Sequence, residues 1–139
     1  MDSKQETSAS RGTILVVEDE MFIRRLSVRL LASLGFDTLE AGTGQEALAQ
    51  CAQHGDDLVL CMTDISMPGM DGRELGERIR GLGRGIKLLF VSGHDCGSAS
   101  GSADASGVGY LQKPFTKEEL QRGVDALLAA PPDGEGPAG

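Results

Sequence analysis

The chain has little aromatic character and little positive charge. It contains no tryptophan, one tyrosine and four phenylalanines among 139 residues. Only 13 Lys and Arg residues stand against 21 Asp and Glu, which gives a formal net charge of −8. This excess of negative charge disfavours contact with the phosphate backbone of nucleic acids or with anionic membranes. We therefore expect no direct nucleic-acid binding and no function that depends on a basic face.

Cysteine, histidine and long apolar runs are also scarce. The chain has three cysteines and two histidines: Cys51, Cys61, Cys96, His54 and His94. Their spacing matches no zinc site, and we expect the cysteines to be reduced. No apolar run is as long as a membrane helix, which needs about 20 residues. The segment 1–12 is polar and lacks the apolar core of a signal peptide. The sequence predicts a cytoplasmic protein without membrane insertion.

The length suits one domain. Residues 1–11 are polar with balanced charge, and residues 131–139 read PPDGEGPAG. Neither segment has the apolar content that a packed core requires. We predict a disordered N-terminal tail at 1–11, one domain at 12–130 and a flexible C-terminal tail at 131–139.

Short apolar runs alternate with helical patterns between the tails. The runs lie at 13–17, 36–40, 58–63, 86–91 and 108–111. Three of them (13–17, 58–63 and 86–91) are continuously apolar, which is typical of parallel strands covered on both faces. Three helical segments begin where a capping residue precedes Glu by three positions, at 43–46, 71–74 and 116–119. The alternation predicts an α/β fold, with a doubly wound five-stranded parallel sheet.

Two helical segments carry further predictions. In 20–34 the apolar residues predict one buried face, and Gly35 predicts the end of that helix. These face residues are Phe22, Ile23, Leu26, Leu30 and Leu34. The segment 93–107 is rich in Gly and Ser and has no apolar stripe, so a fourth helix there is predicted to be weak, short or mobile.

Polar residues follow four of the predicted strands. Glu18, Asp19 and Glu20 follow the first, Asp64 the third, Ser92 the fourth and Lys113 the fifth. Because ligands bind beyond the carboxyl ends of parallel strands, these side chains are expected to converge. Clustered carboxylates favour a hard cation such as Mg²⁺. Together with the hydroxyl and the ammonium group, they suit phosphoryl transfer to an aspartate.

Each of these residues also has a simpler explanation when taken alone. Glu18, Asp19 and Glu20 suit a helix N-terminus, which favours negative charge. Asp64 is a common residue at the start of a turn, and Lys113 before a proline is commonly a solvated charge. The shared position after strands of one sheet is what favours the functional interpretation.

Four stretches give the chain a family resemblance. They are ILVVEDE (14–20), TDISMPGMDG (63–72), LLFVSG (88–93) and YLQKPF (110–115). In order and spacing the chain resembles the CheY-like receiver domain of response regulators over about residues 12–130, and most resembles the receivers of hybrid histidine kinases. The resemblance implies the flavodoxin-like (βα)5 fold, with phosphorylation by a phosphohistidine of a partner.

The resemblance also implies a role for each matching residue. Asp64 would accept the phosphoryl group. Lys113 would pair first with Asp64 and then with a phosphoryl oxygen. Mg²⁺ would be held by Asp19, by Asp64 and by the backbone carbonyl of Ser66, with Glu18 acting through water. Ser92 and Tyr110 would move on phosphorylation. The surface of the fourth helix, fifth strand and fifth helix would then bind a downstream protein.

The chain departs from the family pattern at two site positions and in one segment. Its first acidic pair is Glu-Asp instead of Asp-Asp, and Ser92 stands where Thr is commoner. The Gly- and Ser-rich segment 93–107 belongs to the expected output surface. The implied partners are a sensor or hybrid histidine kinase or a phosphotransfer protein, and the implied enzymatic activity is limited to the domain's own phosphorylation and dephosphorylation.

Three alternative functions compete with the receiver interpretation. The stretch from Gly42 to Ala47 fits G-x-G-x-x-A, and Asp64 follows Gly44 by 20 residues, the spacing of a dinucleotide-binding fingerprint. A Mg²⁺-dependent phosphatase with an aspartyl-phosphate intermediate is a second alternative. The third is a receiver-like docking module that is never phosphorylated.

Overall fold

A computed structural model describes residues 10–93 and 107–129. These residues form five strands and four helices. The strands are β1 (Thr13–Val17), β2 (Asp37–Ala41), β3 (Leu58–Asp64), β4 (Lys87–Ser92) and β5 (Val108–Gln112). The helices are α1 (Met21–Ser33), α2 (Gly44–His54), α3 (Gly72–Gly81) and α4 (Lys117–Ala129). The weak fourth helix predicted within 93–107 falls outside the described residues, so α4 corresponds to the helix predicted as the fifth.

All five strands are parallel, in the order β2-β1-β3-β4-β5. Alternate residues of β1 enter two separate cores: Leu15 and Val17 pack with residues of α2 and α3, whereas Ile14 and Val16 pack with residues of α1 and α4. The sheet is thus covered on both faces, as the continuously apolar runs predict. The doubly wound five-stranded fold is confirmed.

The helix starts lie where the capping patterns place them. The Thr43 hydroxyl accepts from the Glu46 N–H at 3.1 Å, and the Asp71 carboxylate accepts from the Glu74 N–H at 2.9 Å. At α4 the box is reciprocal, because the Glu119 carboxylate also accepts from the Thr116 N–H at 2.9 Å. Each cap satisfies a backbone donor that has no partner within its helix.

The predicted buried face of α1 is partly wrong. Phe22 is 78% exposed and Leu26 is 48% exposed, whereas Ser27 and Leu31 are buried. At 3.6 residues per turn, positions 27 and 31 share the face that meets the sheet, and positions 22 and 26 lie beside it. The polar Ser27 occupies a buried position, so the apolar pattern points to Leu26 instead.

The two predicted tails fall outside the described residues apart from Ser10 and Arg11. The Arg11 guanidinium donates to the Asp125 carboxylate at 2.8 Å and lies 4.5 Å from the centre of the Phe36 ring. It thereby connects the start of β1 with α4. None of the described helices is long and apolar enough to cross a bilayer.

Candidate functional site

The site begins where β1 and β3 end side by side. Val17 pairs with Thr63 in the sheet, so the next residues, Glu18 just after β1 and Asp64 at the end of β3, lie side by side. The chain turns in opposite directions from these two strands, because β2 lies beyond β1 and β4 lies beyond β3. Such a point is where open parallel sheets bind their ligands.

Three carboxylates meet at this point. Glu18, Asp19 and Asp64 each present an oxygen, and these oxygens lie within 4.8 Å of one another. Glu18 and Asp64 are buried, whereas Asp19 is exposed. The predicted convergence is therefore observed for these three residues, with one side of the cluster open to solvent, whereas Glu20 is exposed and is not part of the group.

Lys113 brings one positive charge to the three carboxylates. Its Nζ donates to Glu18 Oε1 at 3.2 Å and lies 3.4 Å from Asp64 Oδ2. Its backbone N–H donates to the Ser92 carbonyl at 2.8 Å, which fixes the start of the loop after β5 against the end of β4. Lys113 thus pairs with Asp64, as the family resemblance implies, and also with Glu18.

The electrostatics of the cluster follow from burial and from these contacts. Burial raises the pKa of Glu18, and the nearby Asp64 charge raises it further; hydrogen bonds from the Glu20 N–H and from Lys113 oppose this rise. Burial alone would lower the pKa of Lys113, but the hydrogen bond to Glu18 and the charges of Asp64 and Glu18 raise it above its ordinary value. Lys113 therefore stays charged at neutral pH, and the ionised cluster keeps an excess of negative charge.

The donor set fits Mg²⁺. All three groups are carboxylates, the hard oxygen ligands that Mg²⁺ prefers, and they are close enough to share one ion. Mutual repulsion within the cluster would be relieved by a divalent cation. The arrangement can therefore hold a cation and present it to a phosphoryl group.

The other predicted site residues differ in burial. Ser92 is buried at the end of β4. Tyr110 on β5 is half-buried, with its ring centre 5.6 Å from that of Phe90. Ser66 is exposed in the loop after β3. His94, two residues after Ser92, lies outside the described residues.

Two residues of α1 were not predicted as part of the site. Arg24 Nη1 donates to the Glu18 carbonyl oxygen at 2.7 Å. The buried Ser27 lines a cavity with room for about one water molecule, together with Glu18, Asp64 and Lys113. Arg24 lies six residues after Glu18, and no short motif signals its contact with a backbone oxygen.

The glycine-rich stretch from Gly42 to Ala47, considered above as a dinucleotide-binding fingerprint, forms the cap at the start of α2. The N–H of Gly42 donates to the Glu46 carboxylate at 2.6 Å, and the N–H of Glu46 donates to the Thr43 hydroxyl. A Cβ at Gly44 would lie 2.9 Å from the Met70 sulfur, so that side chain covers the start of α2. Two backbone donors of the stretch are thus already used by side chains of the stretch itself, and the Met70 side chain covers its glycine, which together disfavour the dinucleotide alternative.

A family model decides what kind of domain carries this site. The model described as the response regulator receiver domain matches residues 14–125, a span that includes β2 to β5, all of β1 except Thr13 and every residue of the acidic cluster. The chain belongs to the response regulator receiver domain family. It is thus a receiver domain of two-component systems, and members of that family accept phosphoryl groups.

Named relatives of this receiver domain come from two kinds of protein. It is 38% identical over 119 residues to the sensor kinase CckA of Brucella abortus, covering 84% of this chain and 12% of the kinase. It is 35% identical over 125 residues to the response regulator MprA of Mycobacterium sp. strain KMS, covering 89% of this chain and 54% of the regulator. The receiver domain spans only part of either relative.

Solved structures show the same fold. The crystal structure of the receiver domain from the hybrid histidine kinase CckA is 34% identical, with a TM-score of 0.71, and covers 84% of this chain and 99% of its own. The Vibrio cholerae chemotaxis protein CheY4 is 25% identical, with a TM-score of 0.74, and covers 86% of this chain and all of its own. These likenesses confirm the CheY-like fold.

Proposed function

We propose that this receiver domain accepts a phosphoryl group on Asp64 from a phosphohistidine of a partner protein. The observation that supports this most directly is the buried Asp64 carboxylate, 3.4 Å from Lys113 Nζ and grouped with Glu18 and Asp19. A carboxylate held at the edge of an acidic, cation-binding cluster is both a nucleophile and a ligand. Phosphoryl transfer needs mainly this positioning and charge neutralisation.

In the proposed step an Asp64 carboxylate oxygen attacks phosphorus. An O–P bond forms while the N–P bond of the phosphohistidine breaks, and the imidazole leaves with the bonding pair and takes up a proton. Lys113 then moves its hydrogen bonds to a phosphoryl oxygen. Mg²⁺ held by Asp19, Asp64 and the Ser66 carbonyl, with Glu18 acting through water, would neutralise charge on the phosphoryl oxygens.

We assign the conformational response to Ser92 and Tyr110. A phosphoryl group adds charge near −2 and needs new hydrogen-bond donors. Ser92 ends β4 beside Asp64's strand, and its short side chain can supply a hydroxyl after a small movement. Tyr110 lies on the neighbouring β5, from which a change would reach segment 93–107, β5 and α4. That surface would bind the downstream partner.

The partner that donates the phosphoryl group would approach along α1. Met21 and Phe22, 61% and 78% exposed, begin the helix two residues after Asp19, and Leu26 lies one turn further. Large apolar side chains exposed together mark an interaction surface. A sensor kinase, hybrid kinase or phosphotransfer protein resting on these residues would bring its histidine to the open side of the acidic cluster. Such an exchange would take place in the cytoplasm, where ATP supplies the phosphoryl group.

The test is intact-mass measurement after incubation with acetyl phosphate, with and without Mg²⁺, beside Asp64→Asn. We expect the mass of one phosphoryl group to be added only with Mg²⁺ and only to the protein that has Asp64. The mass should return to its starting value once the donor is removed, because the domain catalyses its own dephosphorylation. No gain from acetyl phosphate or from any phosphohistidine donor would instead support the docking module.

A further inference from the structure

We infer that Arg24 is a positioning residue that fixes the acidic turn after β1 in the form that binds the cation. The inference rests on the proposed function, because it concerns the cation site on which phosphoryl transfer depends. Arg24 touches no carboxylate of the cluster. It acts on the backbone that carries Glu18 and Asp19, through the Glu18 carbonyl oxygen.

Arg24 is held between two partners on different elements. Its Nη1 donates to the Glu18 carbonyl at 2.7 Å, and its Nε donates to Glu40 Oε1 at 3.0 Å. Glu40 belongs to β2, where its own backbone carbonyl accepts from the Gln50 amide of α2 at 3.3 Å. The guanidinium therefore ties the turn to β2, the edge strand that pairs with β1 and also accepts this hydrogen bond from α2. Arginine suits this position because its planar fork offers several donors in fixed directions.

The surroundings leave Arg24 little freedom. Its side chain is only 16% exposed, whereas that of Arg25 is 67% exposed although Arg25 Nε also contacts Glu40 Oε1, at 3.2 Å. A Cβ at Gly42 would lie 3.3 Å from Arg24 Nη1, so the chain after β2 passes closely over the guanidinium. A half-buried cation with two ordered partners and close backbone packing is more restrictive than a surface ion pair.

The positive charge of Arg24 and its contact with the turn predict opposite changes in Mg²⁺ affinity when the residue is replaced. A positive charge near a cation site repels the cation, so removing the charge alone would tighten Mg²⁺ binding. If Arg24 holds the turn, removing it frees the Glu18 carbonyl and the Asp19 carboxylate beside it, and Mg²⁺ binding weakens. The sign of the change therefore separates the two explanations. Arg25 supplies the charge control, because it shares the Glu40 contact and does not reach the turn.

The experiment compares Arg24→Gln with Arg25→Gln in the full chain. Mg²⁺ is titrated while amide NMR signals are recorded, and Asp19→Asn gives the effect of losing a direct ligand. We expect Arg24→Gln to weaken Mg²⁺ binding about tenfold, as outer-shell substitutions at metal sites do. Arg25→Gln should leave affinity unchanged or tighten it slightly. Before Mg²⁺ is added, the amide signals of Asp19 and Glu20 should already shift in Arg24→Gln and stay in place in Arg25→Gln.

Arg24→Lys is the conservative variant, since one ammonium cannot hold both partners at once, and its affinity should fall between wild type and Arg24→Gln. Unfolding temperatures and the amide signals of β4 and α4 report whether each variant keeps its fold. Equal or tighter Mg²⁺ binding by a folded Arg24→Gln would overturn the inference. If Arg24→Gln does not fold, a normal affinity in Arg24→Lys overturns it equally. Wild type that binds no Mg²⁺ would instead contradict the proposed function.

Discussion

At the scale of single residues, Lys113 faces two carboxylates, and its contacts separate metal binding from phosphorylation. Lys113→Ala should keep Mg²⁺ affinity, or tighten it, because the acidic oxygens remain and a competing positive charge is gone. The same change should remove most of the phosphorylation response, since no ammonium remains to pair with the phosphoryl group. Mg²⁺ titration and amide spectra recorded with a phosphoryl donor measure the two effects separately.

Lys87 on β4 provides a comparison for Lys113. Its side chain approaches Gly107, at the end of the sheet opposite the acidic cluster. Lys87→Ala should therefore leave both the Mg²⁺ affinity and the phosphorylation response unchanged. A response of Lys113→Ala as large as that of wild type would mean that Lys113 only balances charge in the resting site.

Glu18 predicts how stability depends on pH. Burial raises its folded pKa above the ordinary 4.5, so stability falls as the pH rises from 4.5 through that raised value, above which the full cost of ionised Glu18 is present. Glu18→Gln keeps an oxygen for Lys113 and removes this cost. Without Mg²⁺ at neutral pH, we expect its free energy of unfolding to exceed that of wild type by about 1 kcal/mol.

This advantage of Glu18→Gln should shrink as the pH falls through the raised pKa of Glu18 and be lost below 4.5, because wild-type Glu18 then becomes protonated in the folded state. Urea denaturation at several pH values measures it. Saturating Mg²⁺ should reduce the difference or reverse it, since the cation binds the folded wild type more strongly. A less stable Glu18→Gln at neutral pH without Mg²⁺ would contradict the cost that burial and the Asp64 charge impose on ionised Glu18.

The acidic cluster was predictable residue by residue, whereas its support was not. Glu18 and Lys113 directly follow a strand and Asp64 ends one, and the parallel order of the strands brings their side chains together. Arg24 lies inside a helix, and its partner is a backbone oxygen, which carries no sequence signal. Residue types reveal the converging side chains more readily than a contact between a helix side chain and a backbone oxygen six residues away.

At the scale of elements, Gly72 controls how α3 meets the end of β3. Its N–H donates to the Ile65 carbonyl at 2.8 Å, and a Cβ there would collide with the Asp64 carbonyl oxygen and lie 2.8 Å from the Ile65 Cα. Gly72→Ala must therefore displace the backbone that carries Asp64. We expect thermal or urea unfolding to show a loss of about 1–3 kcal/mol, and Mg²⁺ titration to show weaker binding.

Gly81, at the other end of α3, is the matched control. No atom lies within 4 Å of a Cβ built on it, so Gly81→Ala should leave stability and Mg²⁺ affinity close to wild type. If Gly72→Ala also behaves like wild type, the loop after β3 is more adaptable than the close approach implies, and Gly72 does not position Asp64.

The boundaries of the elements were predicted well where local chemistry sets them. Thr43, Asp71 and Thr116 each cap the helix that follows, because one side-chain oxygen satisfies a backbone N–H three residues on. The orientation of α1 was predicted less well. Tertiary packing buries Ser27 and exposes Phe22, and a pattern of apolar residues cannot anticipate a polar residue on the inner face.

At the scale of the whole molecule, the order of apolar runs was sufficient to predict the sheet. Parallel strands joined by helices allow few arrangements, and continuously apolar β3 and β4 must lie in the interior of the sheet. The partner was predicted only as a class of protein. Recognition depends on which side chains remain exposed after folding, and the hydrophobic pattern assigns Phe22 and Leu26 to the core.

The exposed side chains of α1 should affect phosphoryl transfer from a protein donor but not from a small-molecule donor. Phe22→Ser should slow phosphoryl transfer from a histidine kinase about tenfold or more, because large apolar side chains carry much of the binding free energy at interfaces. Transfer from acetyl phosphate should stay at the wild-type rate, since Phe22 contributes no atom to the acidic cluster. The kinase is one first selected from a panel because it phosphorylates the wild-type protein.

Leu82 completes this comparison at a distance from the site. It is also exposed, at 42%, but it follows the last residue of α3, at the end of the helix remote from Asp64. Leu82→Ser should therefore transfer normally from both donors. Equal slowing by Phe22→Ser and Leu82→Ser would point to a general loss of stability, and normal transfer from the kinase to Phe22→Ser would place the donor elsewhere. Slow transfer confined to Phe22→Ser and the protein donor would identify the start of α1 as the surface on which the phosphohistidine partner docks.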